Sequence, residues 1–248
     1  MSKFNYENKQ YLKKLNDLTL DYYLKYINHI RRNLKNKKSL FLDVGCGIGV
    51  VLKALKKEGF VNGYGVDISR LFIKQGKAKG LSNLFYYKGE SLPFRNNFFD
   101  LVGSFNVLEH TDNPESFLKE QITKLKKGGI IIVASPNFLS VLFPSNHKRL
   151  KGINNKLRNL TLTLKKLLVR NNGFEKMKPL IRKNFEYDDD AIVVTNIIDV
   201  KRTLVINNCK ITYESGFVNF DGLFARFINK LPLMKYLLPS CFLVAQKI

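Results

Sequence analysis

Asp43 and three glycines at alternate positions, Gly45, Gly47 and Gly49, form the densest chemical cluster in this chain. Glycines at that spacing let the backbone turn sharply and let a ligand approach the main chain closely. The acid decides which ligand. A dinucleotide turn reads G-x-G-x-x-G, but here Val50 stands where its third glycine would be. Asp43 would repel a pyrophosphate and welcome a cationic centre joined to an amino acid. Asp67 lies 18 residues past Gly49, where a carboxylate can accept two hydrogen bonds from a ribose diol. The alternative role for Asp67 is capping the helix that opens at Ser69. Gly89-Glu90-Ser91-Leu92-Pro93-Phe94 and Asn106-Val107-Leu108-Glu109-His110 complete the set. Of the histidines His29, His110 and His147, His110 is the best candidate base, because imidazole titrates near neutrality. Its structural alternative is shaping the turn before Thr111.

These residues need strand ends and helix starts to hold them. Leu40–Val44 is an apolar run suited to a central parallel strand, and Val50–Lys57 reads as the helix after the turn. Asn62–Asp67 reads as a second strand and Ser69–Lys79 as a helix capped by Ser69. Asn83–Tyr87 and Phe98–Ser104 read as further strands. A helix over Asn113–Lys126 starts at Asn113-Pro114 and is expected to end at Gly128-Gly129, before a strand over Ile130–Ser135. Upstream, residues 6–35 form one or two helices with a stripe of Leu12, Leu15, Leu20, Leu24 and Ile27. Strand–helix alternation implies a doubly wound, mostly parallel sheet. Downstream, Thr195–Asn207 reads as a helix, Lys210–Glu214 as a strand, 221–238 as a helical stretch and Cys241–Gln246 as the last strand.

The chain has 248 residues and a formal net charge of +22, unevenly spread. Residues 145–183 hold 12 Lys/Arg against one acid, while residues 184–248 hold seven of each. Such a block implies an anionic partner, unless the lysines are simply solvated. Cys46, Cys209 and Cys241 are widely spaced and odd in number; no disulfide framework and no metal site is expected. The start, MSKFNYENKQ, has no apolar h-region, and no run is long enough to span a bilayer. A cytoplasmic location is therefore expected.

In order and spacing, the four clusters resemble the class I S-adenosylmethionine-dependent methyltransferases, in particular the small-molecule group called type 11. The resemblance covers about residues 38–137. It implies a Rossmann-like α/β fold with a seven-stranded sheet and an antiparallel edge hairpin, and S-adenosyl-L-methionine as cofactor. It also implies roles. Asp43 and the backbone of Gly45, Cys46, Gly47 and Gly49 would hold the methionine end. Asp67 and Ile68 would hold the ribose side, Gly89 and Glu90 would border the adenine, and Phe105 and Asn106 would lie beside the sulfonium. The family usually has an Asp two residues before Glu90; here that residue is Lys88, so either Glu90 or main-chain groups must meet the adenine amino group. The implied organisation is one domain over 1–248: N-terminal helices 1–38, a cofactor core 39–137, a basic lid-like insertion 138–190, and helices and edge strands 191–248.

The acceptor is less legible. The turn Ser104-Phe105-Asn106-Val107 lacks the Pro-Pro-aromatic pattern of nucleic-acid amine methyltransferases, and no Pro-Cys nucleophile is present. In the insertion, Ile153, Leu157, Leu160, Leu164, Leu167 and Leu168 recur at helical spacing beside Lys156, Arg158, Lys165, Lys166 and Arg170. This stripe either rests on an anionic membrane or packs on the core with its lysines in water. The reading is methyl transfer to oxygen of a small, anionic or lipid-linked acceptor such as a saccharide precursor, with peripheral membrane contact through 145–183. The alternatives are an RNA methyltransferase or a non-catalytic cofactor-binding protein that docks on membranes.

Overall fold

The computed structural model describes residues 5–143, 153–169, 173–180, 188–217 and 222–248. Helices α1 (Lys9–Asp17) and α2 (Leu24–Asn33) flank a 3-10 turn, Leu20–Tyr23. Then come β1 (Phe41–Val44), α3 (Val50–Lys57), β2 (Gly63–Asp67), α4 (Arg70–Ala78), β3 (Leu84–Tyr86), β4 (Phe99–Phe105), α5 (Pro114–Lys124) and β5 (Leu125–Pro136). Helix α6 (Ile153–Leu168), the short strands β6 (Glu175–Lys176) and β7 (Val193–Val194), and α7 (Ile197–Ile206) follow. Strand β8 (Cys209–Ser215), α8 (Leu223–Lys230), a 3-10 turn (Met234–Leu237) and β9 (Ser240–Lys247) end the chain.

Seven strands form one sheet in the order β3-β2-β1-β4-β5-β9-β8, mostly parallel with an antiparallel strand. Strand β1 pairs in parallel with β2 and β4, and β2 with β3. Every residue of β1 is buried, as a strand covered on both faces requires. The backbone packs into two compact units: one of residues 1–105, 120–132 and 246–248, the other of 106–119 and 133–245.

In the first unit the expected N-terminal stripe holds in part: Ile27 is buried and Leu12 and Leu15 are half-buried. Leu20 and Leu24 are exposed, whereas Tyr26, Ile27 and Ile30 are buried. The aromatic ring of Tyr26 buries more apolar surface than a leucine would. Gly128-Gly129 does not end α5, which stops at Lys124; both glycines lie inside β5. Gly128 takes a left-handed φ of 75°, and its carbonyl accepts from Gln246 Nε2 at 3.1 Å. The chain thus resumes extended pairing around the glycine instead of stopping there.

In the second unit α6 is oriented against its own apolar pattern. Ile153, Leu157, Leu160, Leu164 and Leu168 are exposed, while Asn159, Thr163 and Lys166 are buried. Those five side chains therefore do not pack on the core, whereas Leu167 of the expected stripe is half-buried and Leu162 packs against Phe138, Leu139, Ala191 and Val194. The reason is the irregular segment after β5, whose buried carbonyls need donors. Asn159 Nδ2 donates to the carbonyls of Phe138 and Ser140, at 3.0 and 3.2 Å. Asn137 Nδ2 serves Tyr236 and Leu238, and Thr195 Oγ1 serves Pro136. Lys166 Nζ donates to Asp199 at 2.8 Å and to the Gly173 carbonyl at 3.0 Å. The expected helical stretch over 221–238 is split at Leu231-Pro232 into α8 and the 3-10 turn, because proline cannot continue a helical hydrogen-bond ladder.

Candidate functional site

The first unit assembles the residues around the glycine turn. Strand β1 delivers Asp43 to its buried end. Gly45, Gly47 and Gly49 all take left-handed φ, at 75°, 54° and 81°, which explains the glycines at alternate positions. The N–H groups of Gly45 and Cys46 both donate to the Val66 carbonyl, at 2.8 and 3.0 Å. Gly47 N–H instead donates to Asp67 Oδ2 at 2.8 Å, and Ser69 N–H donates to Asp67 Oδ1 at 2.9 Å. Asp67 thus ties the turn to the start of α4, so the capping alternative describes part of its role. Two oxygens offer about four acceptor sites; Gly47 N–H takes one on Oδ2, Ser69 N–H one on Oδ1, and the Ile68 N–H also acts on the carboxyl. Ser69 caps α4 itself by accepting from Phe72 N–H.

Packing distinguishes the glycines. A Cβ on Gly49 would stand 2.4 Å from Leu81 Cδ1, whereas one on Gly47 would meet only Leu15 Cδ1, at 3.5 Å. Cys46 is buried, and a Cβ on Gly65 would lie 2.7 Å from its sulfur. Burial pushes the Cys46 thiol well up, consistent with a filler rather than a nucleophile. Ile68 is exposed, and its Cγ2 lies 3.5 Å from where a Gly89 Cβ would be. Gly89, with φ 86°, and Glu90 are both exposed in the turn after β3.

Several residues outside the sequence prediction complete this region. Tyr26 Oη donates to Asp43 Oδ1 at 3.0 Å. Gly103 in β4 makes room for it: a Cβ there would stand 2.3 Å from the hydroxyl. Phe105, buried at the end of β4, meets the rings of Tyr22, Tyr23 and Tyr26 at 5.3, 5.4 and 5.3 Å. The carboxylate of Glu7 accepts from the N–H groups of Arg70 and Leu71, at 2.6 and 3.0 Å, and Tyr11 stacks on Phe72 at 5.7 Å. The one sequence signal for this layer was the tyrosine run at 22, 23 and 26.

Electrostatically, the region is marked by two buried acids. Burial raises the Asp43 carboxyl to about 7, against the opposing pull of Tyr26 and with added repulsion from Asp67. Burial likewise raises Asp67 to about 6, against the N–H groups of Ser69, Gly47 and Ile68. Neither acid is paired with a Lys or Arg among the described residues. A ligand with a positive centre would return both to their charged form. The residues present therefore fit S-adenosyl-L-methionine: acids for its cationic amino-acid end and ribose, with exposed Ile68 beside Asp67, and glycine backbone for close approach.

The second unit holds Asn106 and the acids around His110. Asn106 takes a left-handed φ of 54°, and its N–H donates to the Ala134 carbonyl at 2.8 Å. His110 Nδ1 lies 3.3 Å from Asp190 Oδ2, and its Nε2 lies 3.6 Å from Glu109 Oε1. Ile192 N–H donates to the Glu109 carbonyl at 2.9 Å, holding the two segments together. Burial alone would lower the His110 pKa, but Asp190, Glu109 and Asp188 outweigh it and hold it above the ordinary value. Burial raises Glu109 to about 8, against the pull of His110. Asp188 and Asp190, more than 75 residues downstream, are partners that spacing did not reveal. His147 and Arg170 lie outside the described residues, as do parts of the 145–183 block.

Residues 42–133 match the family described as Methyltransferase domain (Methyltransf_11). Ajmaline N-methyltransferase of Rauvolfia serpentina is 34% identical over 41% of this chain and 37% of its own length. The mitochondrial ubiquinone biosynthesis O-methyltransferase of Candida albicans is 32% identical over 43% of this chain and 36% of its own. The chain spans about half the length of the curated relatives it matches. A putative S-adenosylmethionine-dependent methyltransferase from Listeria monocytogenes has the same fold, with a TM-score of 0.59 at 14% identity, covering 91% of this chain and 99% of that one. Family match and fold agree with the acid-flanked glycine turn: this chain carries a class I S-adenosyl-L-methionine-dependent methyltransferase domain of the type 11 group.

Proposed function

We propose that the whole chain is a methyltransferase acting at an oxygen of a small acceptor that is anionic or lipid-linked, such as a saccharide precursor. The observation that carries the cofactor half is the buried pair Asp43 and Asp67, bonded to the glycine turn and to Tyr26. Bound S-adenosyl-L-methionine supplies a sulfonium-activated methyl group. Asp43 and the backbone of Gly45, Cys46, Gly47 and Gly49 hold its amino-acid end. Asp67, with Ile68 beside it, holds the ribose, and Gly89 and Glu90 border the adenine. Lys88 is exposed, which leaves the adenine amino group to Glu90 or to main-chain groups. Phe105 and Asn106, at and just after the end of β4, are the residues that would flank the sulfonium.

An oxygen acceptor must lose a proton as its bond to the methyl carbon forms and the sulfur–carbon bond breaks. His110 is the base for that proton, and Asp190 stabilises the imidazolium that results. Because the leaving group is already good, positioning supplies much of the rate. The basic segment 145–183, with its single acid, selects an anionic acceptor and brings the protein to the inner face of the cytoplasmic membrane. Among the described residues no helix is long and apolar enough to cross a membrane, in keeping with peripheral contact.

Calorimetric titration with S-adenosylhomocysteine tests the reading. Wild-type protein binds, and Asp43→Ala weakens binding by about a hundredfold, the scale of one lost charged hydrogen-bonding group. No binding by the wild type, or equal binding by Asp43→Ala, overturns it.

A further inference from the structure

Two helices of the second unit turn apolar faces to solvent. On α6 the exposed side chains recur at 153, 157, 160, 164 and 168, one continuous stripe; Ile153 is 75% and Leu168 83% exposed. On α8 they are Leu223, at 84%, then Phe224, Phe227 and the following Leu231. Both helices contact the 3-10 turn Met234–Leu237. Exposed Leu142 and Phe143 adjoin it too, through the bonds of Val141 and Leu142 N–H to the Leu237 carbonyl at 3.1 and 3.3 Å. Both helices and the 142–143 segment thus adjoin one turn of the unit. Nor can α6 roll its stripe inward, because Asn159 and Lys166 pin its other face. Soluble chains rarely leave a patch of this kind without a partner.

Charge selects that partner. No Asp or Glu occurs between residues 121 and 174, or from 222 to 248. Lys156 and Lys165 flank the α6 stripe, and Arg226 and Lys230 flank that of α8; all four are exposed. By contrast, Arg158 and Lys235 are paired with Glu175 and Glu214, so the cations beside the apolar faces are those left for an external anion. A second copy of a chain with net charge +22 would set lysine against lysine. Leucine and phenylalanine on one face with lysine and arginine at its border is the pattern of helices that lie in the headgroup layer.

We infer that the apolar faces of α6 and α8, with Leu142 and Phe143, form one docking surface for an anionic phospholipid bilayer. The inference deepens the membrane-presented acceptor proposed above, and it adds α8, far outside the basic segment, as the second anchor. An acceptor carried on lipid would then be met at the surface that holds it, without leaving the membrane.

The chain has no tryptophan, so a single introduced indole reports its own surroundings. Leu157→Trp, Phe224→Trp and, in the first unit, Val61→Trp are titrated with phosphatidylcholine vesicles, and with vesicles of phosphatidylcholine and phosphatidylglycerol in equal amounts. Emission of the first two shifts to the blue with the anionic vesicles and far less with the neutral ones, while Val61→Trp does not move. Phe224→Ser combined with Phe227→Ser reduces the vesicle-bound fraction by about tenfold or more, and so does Lys156→Glu with Lys165→Glu, as expected for joint apolar and electrostatic anchoring. These variants keep S-adenosylhomocysteine binding, measured without vesicles, which separates a failed membrane surface from a failed methyltransferase reading. Indoles that stay red with anionic vesicles overturn the inference, and so does equal binding to neutral vesicles. A chain that elutes as a dimer, with both indoles already blue in buffer, assigns the face to a second copy; capture by an acidic protein without vesicle binding assigns it to that class.

Discussion

The glycine turn of the first unit and helix α6 of the second both place polar groups inside the protein, but for opposite reasons. At the turn, Asp43 and Asp67 are buried at a cost and raised above the ordinary carboxylate range, which suits them to a cationic ligand. In α6, Asn159 and Lys166 are buried because neighbouring backbone carbonyls and Asp199 need donors. The first arrangement leaves two acids without a protein counter-charge among the described residues; in the second, Asp199 faces Lys166. At the turn, then, the buried acids are left for a ligand's charge, whereas in α6 the protein supplies the counter-charge itself.

Substitutions can break this contrast, and the largest effect belongs to α6. Lys166→Ala leaves Asp199 buried without its cation and is expected to cost about 3–5 kcal/mol of stability. Leu157→Ser on the exposed face of the same helix changes stability by about 0.5 kcal/mol or less. Urea denaturation of the two variants decides this; equal losses would mean that the leucines are the packed face.

A smaller effect tests the turn. The folded, ligand-free chain keeps a proton on Asp43 up to about pH 7, whereas an unfolded aspartate releases it near about 4. Between those values the folded chain holds more protons, so its stability falls as pH rises. A cationic ligand favours the ionised acid, so affinity moves the other way. S-adenosyl-L-methionine is expected to bind about tenfold more tightly at about pH 8 than at about pH 5.5, and Asp43→Asn to flatten that dependence. Titration calorimetry at the two pH values measures it, and a wild-type affinity independent of pH would contradict the cation-site reading.

The smallest effect concerns Glu109, raised to about 8 by burial and so protonated near neutrality. Its raised value means stability is lost as pH climbs from about 4.5 to about 8. Glu109→Gln, which mimics the neutral acid, is expected to match the wild-type melting temperature near about pH 4 and to reduce the decline between about pH 4.5 and about 8. Thermal melts across that range check both statements; a large loss at neutral pH would show that the charged form is needed.

Much of the first unit was legible because its signals are local. Val50–Lys57 is a helix over the residues that its apolar spacing predicts. Each glycine of the turn has the positive φ that glycine allows most readily. The acids at the ends of the first two strands fall where strand length puts them. Tyr26 and Gly103 were not legible, since one strand's missing Cβ explains a tyrosine 77 positions earlier only when helix and strand are packed together. Gly128-Gly129 misled because a glycine pair after a helix signals a stop, while β-pairing around Gly128 needs the same freedom.

By itself the sequence determined the turn, the cation-seeking acid before it, the strand–helix rhythm and the net charge, all properties set by residues near one another along the chain. Only the tertiary structure decided which face of α6 is buried, that Asp190 stands beside His110, and that α6 and α8 contact the same 3-10 turn. The physical reason is that hydrophobic periodicity records where apolar side chains lie, not which face the protein must use to satisfy its buried backbone. In α6 the backbone's demand won, and Leu157, Leu160, Leu164 and Leu168 face outward.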